Sequence, residues 1–277
     1  MIDFLKCPVC NHNLKYQDGS LKCDNNHSFD ISKSGYVNLL NPGKKNNFKA
    51  GDSKEMIDAR TVFFSSGSYQ KIADQIVNIV LSVHPEIIVD AGCGDGYYTN
   101  YIAKNFPDSI ILGFDVSKFG VEHASKTSKK NGLKNTTYCV ANIFNLPLDP
   151  DSCDLVINVF APVANEEFFK ILKPDSYLLV VSAGKKHLDG LKRAIYSDVY
   201  DNEPFVHDYS GFEIVNQSNL KYETVINGNS TIKCLFQMTP YYHRTSLEDK
   251  AKLETIDTLK TTIDIDFYLL KKTKSRD

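Results

Sequence analysis

No stretch of the 277 residues approaches eighteen consecutive apolar side chains, which excludes a transmembrane helix. The first ten residues, MIDFLKCPVC, lack the basic start and apolar run of a secretory signal, so a cytoplasmic protein is expected. An excess of one charge is lacking too. The net charge is −2, so no overall basic field marks a nucleic-acid partner, although lysines cluster at Lys44–Lys45, at Lys126, Lys129 and Lys130, and at Lys185–Lys186. Each cluster taken alone reads as a solvated face. What remains is an ordinary globular composition, 42% hydrophobic and 24% charged, with the length of one large domain plus a small one.

Cysteine is scarce, at seven residues, yet three of them and two histidines fall within residues 7–27, CPVCNHNLKYQDGSLKCDNNH. In a reducing compartment such a cluster points to a metal rather than to disulfides. Cys7 and Cys10 have the spacing that aims two thiolates at one ion, and a hairpin returns the chain for Cys23 and His27. Asp18-Gly19 supplies the turn, with Leu14, Tyr16 and Leu21 in its alternating strands. Four protein ligands leave no position open for water, so one structural zinc is expected, and it can supply roughly 10 to 16 kcal/mol to a segment with little core of its own. His12, inside the hairpin, reads as an exposed polar residue. The module either only stabilises the N-terminus or grips a macromolecular substrate.

From residue 70 apolar strands alternate with amphipathic helices, the pattern of a mainly parallel sheet covered on both faces. Strands are expected at 87–89, 110–114, 137–140, 155–160 and 177–181, and helices at 70–82, 97–105, 118–131, 165–172 and 187–196. FEIVNQSNLKYETVI, a helical STIKCLFQM, a helix around 247–260 and a last strand IDIDFYLL follow. Ligands bind outside the carboxyl ends of such strands. There stand Asp90 before the glycines Gly92, Gly94 and Gly96, then Asp115, then Asn142. The G-x-G-x-G spacing differs from the dinucleotide pattern, and an acid at Asp90 suits a cationic amine rather than a pyrophosphate. Asp115 is placed to accept from ribose hydroxyls and Asn142 to read an adenine edge. Any one of the three could be a helix cap, but together they describe a pocket for S-adenosylmethionine.

The knuckle, FDISKSGYVNLL, GDSKEMIDAR, SSGSY, DAGCGDGYYT, FDVSK, FAP, SAGKKHL and QMTPYY together resemble the bacterial 23S ribosomal RNA (guanine-N1)-methyltransferases that carry an N-terminal zinc-binding domain. The resemblance is nearly full length. It implies a class I S-adenosylmethionine-dependent methyltransferase, an α/β Rossmann-like fold with a mainly parallel seven-stranded sheet and a small zinc-ribbon-like domain. It also implies transfer to ring nitrogen 1 of a guanine in a 23S ribosomal RNA hairpin, with dimerisation left open. Residues 1–45 would then be the zinc-binding, RNA-recognition domain, 46–69 a connector helix and 70–277 the methyltransferase domain. Tyr69, Gly96, Tyr97 and His187 match positions that contact the donor, although Tyr69 also reads as a core aromatic and His187 as a helix-start polar residue. The sequence departs from the family at KPDSY, where KPGG is usual, and at Lys185-Lys186.

In the connector, Asp52 and Glu55 have capping-box spacing, so a helix should start at Ser53, with Met56, Ala59 and Phe63 on its packed face and Arg60 able to turn to the cleft. Phe160 could stack on an extruded base or sit in the core. No base for the guanine N1 proton is assigned; Asp52, Asp154 and Glu166 are candidates by location. Two rival readings stand: a methyltransferase of small molecules, which leaves the zinc module unexplained, and a non-catalytic zinc-containing RNA-binding protein, which leaves the pocket unexplained.

Overall fold

The computed structural model describes residues 4–41, 51–199, 201–203 and 209–273. The N-terminal hairpin forms as its turn chemistry dictates. β1 (Lys15–Gln17) and β2 (Ser20–Lys22) pair antiparallel across Asp18 and Gly19, whose φ values of 50° and 81° are those of a two-residue type I′ turn. β3 (Ser28–Asp30) completes a three-stranded sheet. Leu14 and Leu21 are buried, whereas Tyr16 is 64% exposed.

The large sheet follows the expected alternation. In chain order it holds β4 (Val37–Asn38), β5 (Ile87–Ala91), β6 (Ile110–Asp115), β7 (Thr136–Val140), β8 (Cys153–Val159), β9 (Leu172–Ala183), β10 (Phe212–Asn227) and β11 (Thr258–Lys272). Their spatial order is β10-β11-β9-β8-β5-β6-β7-β4, parallel from β9 to β4 and antiparallel at β9–β11 and β11–β10. Seven of these strands are the expected ones. The eighth, β4, comes from the zinc module: Val37 and Asn38 pair with Cys139 and Val140 and cover what would be an open edge. Every residue of β5 is buried, as a central parallel strand with both faces covered requires.

The covering helices are α1 (Lys54–Ser65), α2 (Gln70–Val83), α3 (Tyr97–Asn105), α4 (Lys118–Lys130), α5 (Asn165–Ile171), α6 (Asp189–Ile195), α7 (Asn229–Gln237) and α8 (Leu247–Ala251). α2 shows the logic: Ile72, Ala73, Ile76 and Val80 form its buried stripe, and His84 ends it in the left-handed region just before Pro85. The helix expected around 247–260 is shorter. After α8 the chain makes one 3-10 turn at Lys252–Thr255 and enters β11 at Thr258, because the β-branched run from Thr258 pairs with β10 over its whole length. No helix among the described residues is long and apolar enough to cross a membrane.

α1 begins one residue later than its capping-box reading. Ser53, not Asp52, is the cap, its hydroxyl accepting from the Met56 amide at 3.3 Å. Asp52 is instead paired with Arg60 at 2.8 Å. Ile57, Ala59 and Phe63 are the buried residues of this helix, and Met56 is half-buried.

Candidate functional site

The zinc module presents its four ligand atoms together. The sulfurs of Cys7, Cys10 and Cys23 and a ring nitrogen of His27 lie within 4.8 Å of one another. Cys10 Sγ is 3.6 Å from Cys23 Sγ, and His27 Nδ1 is 3.5 Å from Cys7 Sγ and 3.4 Å from Cys23 Sγ. A tetrahedral zinc with bonds of about 2.3 Å to sulfur and 2.0 Å to nitrogen has edges of about 3.5 to 3.8 Å, so the donor set fits the ion. Both ligand pairs sit on tight turns that contain an asparagine in the left-handed region, Asn11 and Asn26, each at φ 61°. The Asn11 amide donates to the Cys7 carbonyl and the Asn26 amide to the Cys23 carbonyl. His12 is exposed, with Nδ1 3.1 Å from the Cys10 carbonyl oxygen, and stands outside the cluster.

At the carboxyl ends of the parallel strands opens a cavity of about 1200 Å³. Of the predicted donor residues, Tyr69, Asp90, Gly92, Asp115, Asn142 and His187 line it. Gly94, Gly96 and Tyr97 are not on its wall. Gly92 has φ 94°, and a Cβ there would stand 2.5 Å from the Ala161 Cβ, so only glycine lets the β5 turn pass the end of β8. Gly96 has a different task. A Cβ there would meet the Ala124 Cβ at 2.5 Å, so it brings the start of α3 against α4. Tyr97 backs the wall, its ring stacked at 4.2 Å on Phe64, which does line the cavity.

The site is acidic and desolvated. Burial pushes the Asp90 carboxyl up to about 7, opposed by the donated Thr99 hydroxyl. Burial also raises the carboxyls of Asp95 and Asp115. Asp115 accepts from the Gly94 amide at 2.9 Å and from the Ser117 amide at 2.7 Å, one bond to each oxygen, which leaves further lone pairs for ribose hydroxyls. Asn142 uses its amide oxygen to accept from the Phe144 amide at 3.0 Å, so its NH2 group is the part able to meet an adenine ring nitrogen.

Tyr69 and His187 act as a pair. Burial drives the His187 imidazole down to about 4, so it is neutral at physiological pH. Nδ1 accepts from the Asp264 amide at 3.4 Å, which assigns the proton to Nε2; that proton is donated to the Tyr69 hydroxyl oxygen, 3.0 Å away. The Tyr69 O–H is thereby free to donate into the cavity. Nearby, Phe160 is 43% exposed at φ 52°, with its ring stacked 6.1 Å from His187.

Of the three candidate bases, Asp52 alone lines the cavity. Asp154 lies at the other end of the sheet, accepting from the Ile87 amide at 2.8 Å and paired with Lys173 at 2.7 Å. Glu166 is exposed on α5. Sequence reasoning assigned no site role to Tyr98, whose buried hydroxyl has no partner among the described residues, nor to Asp95, Phe144 or Glu203, and it used Thr239 to Tyr242 only as part of the QMTPYY motif; all are near or on the wall.

Residues 85–253, more than half the chain, match the family described as Methyltransferase domain, and residues 5–47 match the one described as RlmA, N-terminal. A 23S rRNA (guanine(748)-N(1))-methyltransferase of Streptomyces fradiae is 32% identical over 200 residues, 70% of this chain and 69% of its own. The chain belongs to the 23S rRNA (guanine-N1)-methyltransferase family. A Bacillus subtilis protein named provisionally in the same family is 27% identical across 97% of this chain and 98% of its own. Among solved structures, the YcgJ protein of Bacillus subtilis shares the fold of the large domain, with a TM-score of 0.50 at 16% identity over 73% of this chain and 98% of its own.

Proposed function

We propose that this protein transfers a methyl group from S-adenosylmethionine to ring nitrogen 1 of a guanine in a hairpin loop of 23S ribosomal RNA. One observation carries the reading: a zinc ribbon and an acidic donor cavity occur in one chain, and the connector between them lines that cavity through Gly51, Asp52, Met56, Arg60 and Phe64. A small-molecule methyltransferase gives no reason for that union.

Bound S-adenosylmethionine supplies an electrophilic methyl on a sulfonium centre. The chain's own residues supply position. Asp90, Asp115 and Asn142 would hold the amine, the ribose and the adenine, which fixes the direction in which the methyl faces. At about 1200 Å³ the cavity exceeds the size usual for one drug-sized ligand and leaves room for an extruded base beside the donor. Phe160, exposed at the rim, would stack on that base. The Tyr69–His187 pair offers a fixed O–H donor nearby and no positive charge, so it would not repel the sulfonium.

The module of residues 1–45 would hold the RNA with its exposed Lys33, joined by Lys44, Lys45 and Lys49. These last three lie outside the described residues, which resume at Gly51 on the cavity wall. Mapping methylated nucleotides in ribosomal RNA by primer extension, with and without the protein, tests the proposal. A stop at one hairpin-loop guanine is expected, and efficient methylation of a small acceptor with no mark on RNA refutes it.

A further inference from the structure

The cavity is short of positive charge. Asp52, Asp90, Asp95, Asp115 and Glu203 line it, and Arg60 is the one lysine or arginine among its described wall residues. Arg60 belongs to α1, the connector, and reaches the sheet's carboxyl edge from there. Its Nη2 is held by Asp52 at 2.8 Å. Asp52 is in turn fixed, because the Ser117 hydroxyl donates to its backbone carbonyl at 2.7 Å. On the other edge, Nη1 lies over the glycine turn, 2.9 Å from where a Cβ on Gly94 would stand. Between them Nε is buried and has no hydrogen-bond partner among the described residues.

A guanidinium carries five N–H donors, and a buried one left unpaired is costly. The neighbouring acids do not use it up. Asp95 accepts from the Tyr97 amide at 3.3 Å and Asp115 from two backbone amides, and Asp52 is the carboxylate found in ion-pair contact with Arg60. The arrangement is a clamped cation with donors to spare, set over the glycine turn that follows Asp90, and both side chains line the same cavity. An α-amino acid carries a cation and an anion on one carbon, and this pair of side chains offers the complement of both.

We propose that Arg60 receives the carboxylate of the donor's methionine moiety while Asp90 faces its amine, so that the connector helix is part of the donor site. This rests on the reading of the cavity as an S-adenosylmethionine pocket. Arg60 is then what selects donors that retain the amino-acid carboxylate, and it serves the product S-adenosylhomocysteine equally.

Titration calorimetry on the full-length, zinc-loaded chain tests this with S-adenosylmethionine and its decarboxylated form, S-adenosylmethioninamine. The parent should bind the carboxylated ligand about 10- to 100-fold more tightly, the range of a charge-assisted pair. Arg60→Gln should abolish most of that preference, weakening S-adenosylmethionine by a similar factor and leaving the decarboxylated ligand within about twofold. A parent with equal affinity for the two overturns the assignment whatever the variant does. So does an Arg60→Gln protein that loses both ligands equally, which marks a structural pin, or one that keeps both and loses only RNA, which marks a phosphate contact. A parent that binds neither ligand refutes the donor-site reading itself.

Discussion

Asp90 sits where burial and the proposed amine contact pull its proton in opposite directions. Its carboxyl is pushed up from an ordinary 3.8 to about 7, so without ligand the folded chain prefers it protonated, while the unfolded chain ionises it near the ordinary value. Its contribution to stability is therefore full below about pH 4 and lost as pH rises through about 7. A cationic amine beside it reverses the preference. Binding of S-adenosylhomocysteine should strengthen about tenfold between about pH 6 and pH 8 by calorimetry, and Asp90→Asn should flatten that profile. A flat profile in the parent would remove Asp90 from the amine site. Phe160 offers a different test. At φ 52° its backbone is in the region that penalises a Cβ, so Phe160→Gly should unfold at higher denaturant than Phe160→Ala, by about 1 kcal/mol. Both should lose about 5- to 100-fold in RNA methylation if the ring stacks on the base, with donor affinity unchanged. Retention of full methylation by both would make Phe160 a wall residue only. At this scale the sequence was readable where chemistry coincides with a strand end, as at Asp90, Asp115 and Asn142. It was silent on Tyr98 beside Tyr97, because two adjacent tyrosines at a helix start differ only in which way the helix turns them.

Among the elements, β4 matters most to how the parts depend on one another. Its pairing with β7 is reinforced by the antiparallel bridge between Leu5 and Leu148, and by Lys6, which donates its amide to the Pro147 carbonyl at 2.8 Å and pairs with Asp149 at 2.8 Å. Leu5, Leu14, Leu21 and two of the zinc ligands, Cys7 and Cys23, belong to one apolar cluster with Phe114, Cys139, Leu146 and Leu148. Zinc loss should then be felt beyond the module. Chelation, or Cys23→Ser, is expected to lower the thermal midpoint of the whole chain in a single transition, followed by calorimetry and by near-ultraviolet signal together. Two separate transitions, with the upper one unmoved, would show that the sheet ignores the module. The metal spacing was legible in the sequence because ligand geometry allows few alternatives. The pairing of two residues at β4 was not, since a strand so short carries no period, and the end of α8 was missed because the long partner strand β10 decides where β11 begins.

For the molecule as a whole, the module meets the large domain at a seam that carries basic residues. Lys33 is exposed in the module, and its carbonyl accepts from Lys129 of α4 at 3.4 Å, so the charge of the module meets that of the large domain across their seam. Lys130 is exposed beside it, whereas Lys126 is partly neutralised by Glu122 at 2.6 Å. In sequence, Lys44, Lys45 and Lys49 fall between Leu40 and Gly51, both of which line the cavity, and the three lysines themselves lie outside the described residues. Phosphate contacts hold an RNA without reading its sequence, and each one made releases counterions. Replacing Lys44, Lys45 and Lys49 by Gln should therefore weaken binding to a ribosomal hairpin and make its logarithmic salt slope shallower by about one per lost contact. The methylated guanine and the donor affinity should stay the same. Replacing Lys33, Lys129 and Lys130 asks whether the RNA reaches the seam: a slope that flattens again places it there, and one that does not confines the RNA to the connector side. If the first triple variant binds RNA with the parent's affinity and salt slope, the hairpin does not lie between module and sheet, and the proposed union of zinc ribbon and donor cavity in a single RNA site fails.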